Sequence, residues 1–191
     1  MKIGLYFGSF NPVHIGHLAI ANHIREYNHL DQIWFVVSPQ NPFKSKKSLL
    51  ADFHRLEMIH IAIGDSANYK ASNIEFNLPK PNRTIDTLTY LYDKYPNHEF
   101  TLILGSDNLL NFDKWKNHEV ILKNYKILVY PRPGVAETKF DHHPSILKID
   151  APLIEISSSF IRESIKKKKN MEFFVPPKVW EYIKEMHFYE K

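Results

Sequence analysis

Apolar positions follow two rhythms along the chain. Residues 2–7 (KIGLYF) form a short apolar run that breaks at Gly8-Ser9, which predicts a buried strand. From Ile15 the rhythm turns helical. Ile15, Leu18, Ala19, Asn22, His23 and Ile24 recur at helix spacing up to about Tyr27. Residues 32–37 (QIWFVV) are a second β-rich run, ended by Ser38-Pro39. Strand, helix and strand in that order predict a parallel βαβ unit.

The pattern continues in the same manner. Residues 39–51 read as a loop rich in Pro, Ser and Lys, a length that is uncommon unless the segment works or moves. Asp52 is the expected N-cap of a helix over 53–63, with Leu56, Ile59, His60 and Ile63 on one face. A strand is expected within 70–77, a breaker at 79–83, and a helix from Ile85 to Tyr95 opened by Thr84 or Asp86. Strands follow at 99–104 (EFTLIL) and 126–130 (KILVY), with a helix over 118–124 between them. Residues 135–146 show no period, and a short strand is expected around Leu153 to Ile156. Ser157-Ser158-Ser159 caps a helix over 159–168, and Pro176-Pro177 starts a last one over 177–186. With no internal repeat, this order predicts a doubly wound, Rossmann-like α/β parallel sheet forming one domain over residues 1–191, its ligands at the carboxyl ends of the strands.

Composition narrows the classes. Apolar residues make up 43% and charged residues 24% of 191, the globular norm, which argues against disorder, collagen and disulfide scaffolds. Twenty-five Lys and Arg against 21 Asp and Glu give +4, a balance that suits phosphorylated small molecules and is too weak to argue for nucleic acid. There are no cysteines, so disulfides and thiolate metal sites are excluded. The N-terminal run reaches Gly8 and Asn11-Pro12 too soon for a signal peptide, and no apolar stretch is long enough to span a membrane. The expectation is a cytoplasmic protein without nucleic-acid or membrane partners, and the sequence does not decide between a monomer and a homo-oligomer. Lys166 to Lys169 read as a solvated helix end.

Two constellations carry candidate chemistry. The first is Gly8-Ser9-Phe10-Asn11-Pro12-Val13-His14-Ile15-Gly16-His17, where the first strand feeds the first helix. Gly8 lets a phosphate approach the backbone, and the helix start offers free N–H groups and a partial positive charge. His14 and His17, three residues apart on the first turn, point the same way and can donate to phosphoryl oxygens. The competing readings are a capped strand–turn–helix junction with two incidental histidines and an H-x-x-H metal site; no further ligand is nearby for the latter, so no protein-held metal is expected. The second is Ile156-Ser157-Ser158-Ser159-Phe160-Ile161-Arg162. Its hydroxyls and N–H groups at a helix start suit an anion, with Arg162 one turn in from Ser158.

The first segment resembles the G-[GS]-[TF]-[DN]-P-x-H-x-G-H motif of the nucleotidylyltransferase superfamily, and the second resembles that superfamily's I-S-[ST]-[ST]-x-[IL]-R motif. Four further segments are similar to those of the bacterial nicotinate-nucleotide adenylyltransferases: Phe53-His54-Arg55-Leu56-Glu57-Met58, Thr84-Ile85-Asp86-Thr87-Leu88, Gly105-Ser106-Asp107 with Trp115, and Arg132-Pro133-Gly134. The likeness runs in order over nearly the whole chain. It implies transfer of AMP from ATP to nicotinate mononucleotide, with Mg²⁺ travelling with the triphosphate. It also implies catalytic roles for His14, His17, Lys44 and Arg162, and ATP binding by Gly8, Ser9, Phe10, Gly105, Asp107, Ser157 and Ser158. Acceptor contacts would come from Asn41, Thr84, Ile85, Asp86, Trp115 and Arg132. Three positions depart from the family: Phe43 stands where a His is usual, Arg83 where an aromatic is, and Lys116 where a Tyr follows the Trp. Arg83 and Lys116 would add positive charge near the acceptor. The alternatives are another adenylyl- or cytidylyltransferase, such as the phosphopantetheine enzyme, and a nucleotide-binding regulator without turnover.

Overall fold

The structure, a computed structural model, describes residues 1–39 and 49–191. Strand β1 (Lys2–Gly8) leads through helix α1 (Ile15–Tyr27) to β2 (Gln32–Val37). Helix α2 (Asp52–Ile63), β3 (Tyr69–Ser72) and α3 (Thr84–Lys94) follow. Then come β4 (Glu99–Gly105), α4 (Ser106–Leu109), α5 (His118–Asn124), β5 (Lys126–Tyr130), β6 (Ile146–Lys148), α6 (Ser158–Lys166) and α7 (Pro177–Glu185). The sheet order is β3-β2-β1-β4-β5-β6 and every described pair is parallel, as expected for the doubly wound fold. The order reverses between β1 and β4. Their register, with Tyr6 opposite Ile103, brings Gly8 and Gly105 to the same carboxyl edge.

Each central strand is buried on both faces, so its side chains divide alternately between two cores. Tyr6, Phe35, Val37, Ile103 and Tyr130 join one core with residues of α1, α2, α6 and α7, among them Ile24, Met58, Ile161 and Val179. Leu5, Trp34, Val36, Leu102 and Val129 join the other with residues of α3 and α5, among them Leu88, Leu91 and Ile121. One layer thus carries the helices of both candidate phosphate motifs, and the other carries the helix of the candidate acceptor motif.

Several sequence expectations are corrected. Within the 70–77 segment only the residues up to Ser72 pair as a strand, which begins at Tyr69; Ile74–Asn77 is a 3₁₀ turn. β3 lies on the sheet edge, and its last pair, Ser72 with Val36, is one residue short of the end of β2. Residues 153–156 form no strand; the last strand is Ile146–Lys148, because β5 ends at Tyr130 and its pairing is complete before Leu153 is reached. Ala51, not Asp52, caps α2, and the Asp52 carboxylate turns to Arg55 instead. Helix ends shift by a residue or two: α3 runs Thr84–Lys94, α6 Ser158–Lys166 and α7 Pro177–Glu185.

Candidate active site

A cleft of about 770 Å³ opens over the carboxyl edge where the strand order reverses. Its centre is the β1–α1 junction. A Cβ on Gly8 would sit 2.7 Å from the Phe10 ring, so only glycine admits that ring. Phe10 itself has φ 46°, a left-handed backbone that costs a non-glycine residue about 1–2 kcal/mol. Its ring is 2% exposed and packs on Tyr6, Phe35 and His17 at 5.7, 5.5 and 5.1 Å. Burying a phenyl ring contributes about 1.5–3 kcal/mol, which offsets the strain.

The two histidines stack, with centroids 3.7 Å apart and planes at 28°. The Nδ1 atom of His17 accepts from the His14 backbone N–H at 3.3 Å. A neutral His17 therefore carries its proton on Nε2, as a donor on a ring that lines the cleft. Burial first, and the Arg132 cation second, push the His14 pKa down to about 3. His14 is thus a neutral imidazole at ordinary pH. Gly16 makes room for it: a Cβ there would meet His14 Nδ1 and Ile154 Cγ2, each at 3.0 Å.

The loop before these histidines is braced from both sides. Ser157 caps α6 by accepting from the Phe160 N–H at 3.1 Å. Ser158 Oγ donates to the Pro12 carbonyl at 2.9 Å, and Arg162 donates to the Asn11 carbonyl at 2.8 Å and to Ser159 Oγ at 3.2 Å. The second motif therefore converges on the first and holds its backbone. From α2, Arg55 is fully buried and donates to the carbonyls of Leu50, Ser9 and Ser38 at 3.0, 2.6 and 3.0 Å, and to Asp52 at 2.6 Å. A buried guanidinium is tolerated only when paired and hydrogen-bonded in this way. In the sequence Arg55 stands out only as part of a helix motif. Its role as a clamp depends on carbonyls that the fold brings from two other segments.

At the β4 and β5 edges, Gly105 again admits close neighbours. A Cβ there would lie 2.4 Å from Asp107 Oδ1 and 3.1 Å from Arg132 Nε. Arg132 donates to Tyr130 Oη at 3.1 Å, and Tyr6 donates to the same hydroxyl at 3.3 Å. Asp107 lies 3.8 Å from Arg132 Nε, a loose pair. Arg132 thus lines the cleft close enough to depress the His14 pKa.

At the other end, α3 begins at Thr84. Its Asp86 and Thr87 N–H groups reach back to the Arg83 carbonyl, so the N–H groups of Thr84 and Ile85 are the donors the helix itself does not use. Thr84 and Trp115 line the cleft. The Ile85 side chain is buried in the core, and Asp86 pairs with Lys116 at 3.0 Å. Lys116 therefore brings no uncompensated charge. Glu75, missed in the sequence, is 2% exposed and accepts from Thr87 Oγ1 at 2.8 Å. Burial raises its pKa, partly countered by the Thr87 and Ser38 hydroxyls. It lines the same end of the cleft, next to Asn82, which donates to the Glu75 carbonyl at 2.9 Å. Asn41 and Lys44 lie outside the described residues, with most of the 39–51 loop.

A doubly wound sheet whose first helix starts on paired histidines, faced by a Ser-Arg helix start, defines a nucleotidyltransferase. The model of the cytidylyltransferase-like family matches residues 5–164. A relative from Flavobacterium johnsoniae, named "Probable nicotinate-nucleotide adenylyltransferase", is 56% identical over 195 residues, covering 100% of both chains. A Bacteroides thetaiotaomicron relative of the same name is 45% identical over 185 residues, covering 97% of this chain and 92% of its own. The chain belongs to the nicotinate-nucleotide adenylyltransferases within that wider family. The fold is similar to that of Plasmodium falciparum nicotinic acid mononucleotide adenylyltransferase complexed with NaAD. The TM-score is 0.83 at 24% identity, covering 99% of this chain and 97% of that one. No described helix is long and apolar enough to cross a membrane.

Proposed function

We propose that the protein transfers AMP from ATP to nicotinate mononucleotide, giving nicotinate adenine dinucleotide and pyrophosphate for NAD biosynthesis. The observation that carries this reading is the convergence, on one side of one cleft, of His14, His17 and Arg162, with the Thr84 helix start and Trp115 on the other. An acceptor phosphate oxygen attacks the α-phosphorus in line and forms the new P–O bond. The bond from the α-phosphorus to the bridging oxygen breaks, and its electron pair leaves with pyrophosphate. No covalent enzyme intermediate is needed, so the protein's work is positioning and charge stabilisation.

His17 donates through Nε2 to the phosphoryl oxygens. His14, neutral and buried, holds the same group without adding a charge. A guanidinium has five N–H donors. Arg162 uses two of them, on the Asn11 carbonyl and on Ser159 Oγ of its own helix, which leaves others for the departing pyrophosphate; Ser158 adds its backbone N–H, and Lys44 belongs to the same set. Gly8, Ser9, Phe10, Gly105, Asp107 and Ser157 complete the ATP side. Mg²⁺ comes bound to the triphosphate, whose oxygens and water fill most of its shell. The cleft around the histidines offers mainly N–H and O–H donors, which suit an oxyanion chain rather than a protein-held cation.

Nicotinate carries a carboxylate that only accepts hydrogen bonds, and the free Thr84 and Ile85 N–H groups only donate. Trp115 offers an indole face for the ring, while Asn41 and Arg132 complete the acceptor set. Pyrophosphate release with ATP and each acceptor in turn tests this. We expect kcat/KM for nicotinate mononucleotide to exceed that for the carboxamide analogue by at least about 10²-fold, since a charge-assisted bond is lost and a donor meets a donor. Equal values would overturn the acid-specific reading. Activity with phosphopantetheine alone would move the protein to another branch of the superfamily.

A further inference from the structure

The last residues of the described chain return to the active-site loop. Tyr189 Oη donates to Asn11 Oδ1 at 2.8 Å, across 178 positions of sequence. The same oxygen accepts from the Leu50 N–H at 3.3 Å. The Asn11 carbonyl is held by Arg162 and the Pro12 carbonyl by Ser158. Four donors from three distant segments thus converge on two residues, and His14 follows two positions later. The carbonyl of Phe174, also in the C-terminal part, accepts from the Ile15 N–H at 3.1 Å, at the first residue of α1.

The tail adopts this path against its backbone preference. His187 and Tyr189 have φ 53° and 65°, in the left-handed region that side chains disfavour. Between them Phe188 is buried, 4.7 Å from the His54 ring and 5.7 Å from the Tyr182 ring. His54 and Tyr182 are themselves joined, Nδ1 to Oη, at 2.8 Å, which ties α7 to α2. The hydrophobic seat of Phe188 therefore holds the strained tail in place and delivers the Tyr189 hydroxyl to the loop. Burial raises the pKa of that hydroxyl, so it stays a donor at every working pH.

We infer that Tyr189 is a positioning residue for AMP transfer, its hydroxyl acting through Asn11 to hold the loop that presents His14 and His17. This rests on the functional reading above. The test is a double-mutant cycle of Tyr189→Phe and Asn11→Ala, with kcat, both KM values and melting temperature measured beside the wild type. Tyr189→Phe keeps the ring in its seat and removes only the donor. We expect kcat to fall about five- to fifteenfold, the scale of one lost hydrogen bond, with both KM values within twofold. In the Asn11→Ala background the same substitution should change kcat by less than twofold, because the group it acts through is gone. A merely structural tyrosine would lower the melting temperature and leave kcat intact well below it. Unchanged kcat in the single variant, or additive losses in the double, would overturn the inference. Absence of turnover in the wild type would instead overturn the functional reading on which it rests.

Discussion

The two ends of the cleft are built differently. Around the histidines the loop's carbonyls are held by side chains from other elements. Buried Arg55 holds Ser9 and Ser38, Arg162 holds Asn11, Ser158 holds Pro12, and His17 is fixed by the His14 N–H. At the acceptor end buried Glu75 accepts from Thr87 Oγ1 and its carbonyl from Asn82, while on the surface Lys116 pairs with Asp86, both side chains well exposed. Charge develops where AMP is transferred, and donors placed there help only if they are already aimed. The acceptor only has to be recognised, and two helix N–H groups and an indole need less bracing.

The largest effect is expected from His17→Ala, which removes the Nε2 donor. We expect kcat to fall by about 10²–10⁴, the scale for deleting one transition-state donor, with the fold intact by circular dichroism. Turnover within threefold of wild type would show that the braced end is not where the rate is set.

The next concerns His14 and pH. Its folded pKa of about 3 lies below the value of 6.5 for the free side chain. Between those values the unfolded chain binds a proton that the folded one refuses, so this residue makes stability fall as pH falls from about 6.5 towards 3. The slope attributable to it is at most about 1.4 kcal/mol per pH unit. Urea unfolding at pH 6.5 and 4.5 should show a steeper loss in the wild type than in His14→Gln. Parallel losses would place the acid sensitivity elsewhere.

The smallest effect belongs to the acceptor end. An exposed pair contributes about 0–1 kcal/mol, so Lys116→Ala should raise KM for nicotinate mononucleotide by no more than about fivefold and leave kcat alone. The difference should shrink in high salt, since exposed charges are screened. A tenfold fall in kcat would mean that this end, too, aligns the reacting groups.

Much of this arrangement was legible in the sequence. The strands of the central sheet are nearly continuous apolar runs, because burial on both faces leaves little room for polar side chains; Thr101 in β4 is the buried exception there. Gly8, His14, His17, Ser158 and Arg162 carry motifs whose residue types already imply an anion, and the structure brings them into one cleft. The errors fall where a partner decides. Whether 74–77 or 153–156 is a strand depends on how far β2 and β5 extend, which no local pattern encodes. Arg55 and Glu75 look like ordinary charged residues at surface-type positions. Their burial follows from carbonyls and hydroxyls that arrive from other elements. Lys116 reads as added positive charge in the sequence, but its partner Asp86, thirty positions away, cancels it.

The division of the hydrophobic interior into two cores has a consequence for inheritance. The helices that carry the histidines and the Ser-Arg motif pack on one face of the sheet, and the helix beginning at Thr84 packs on the other. A mutation that reshapes the acceptor pocket is thus absorbed mostly by a layer that does not bear the transfer machinery. Distant sites with no shared partner add nearly independently in their effects. Such a chassis lets one half of the molecule drift towards a new acceptor while the other continues to spend nucleoside triphosphates as before. The departures at Arg83 and Lys116 both fall on the half that is free to drift.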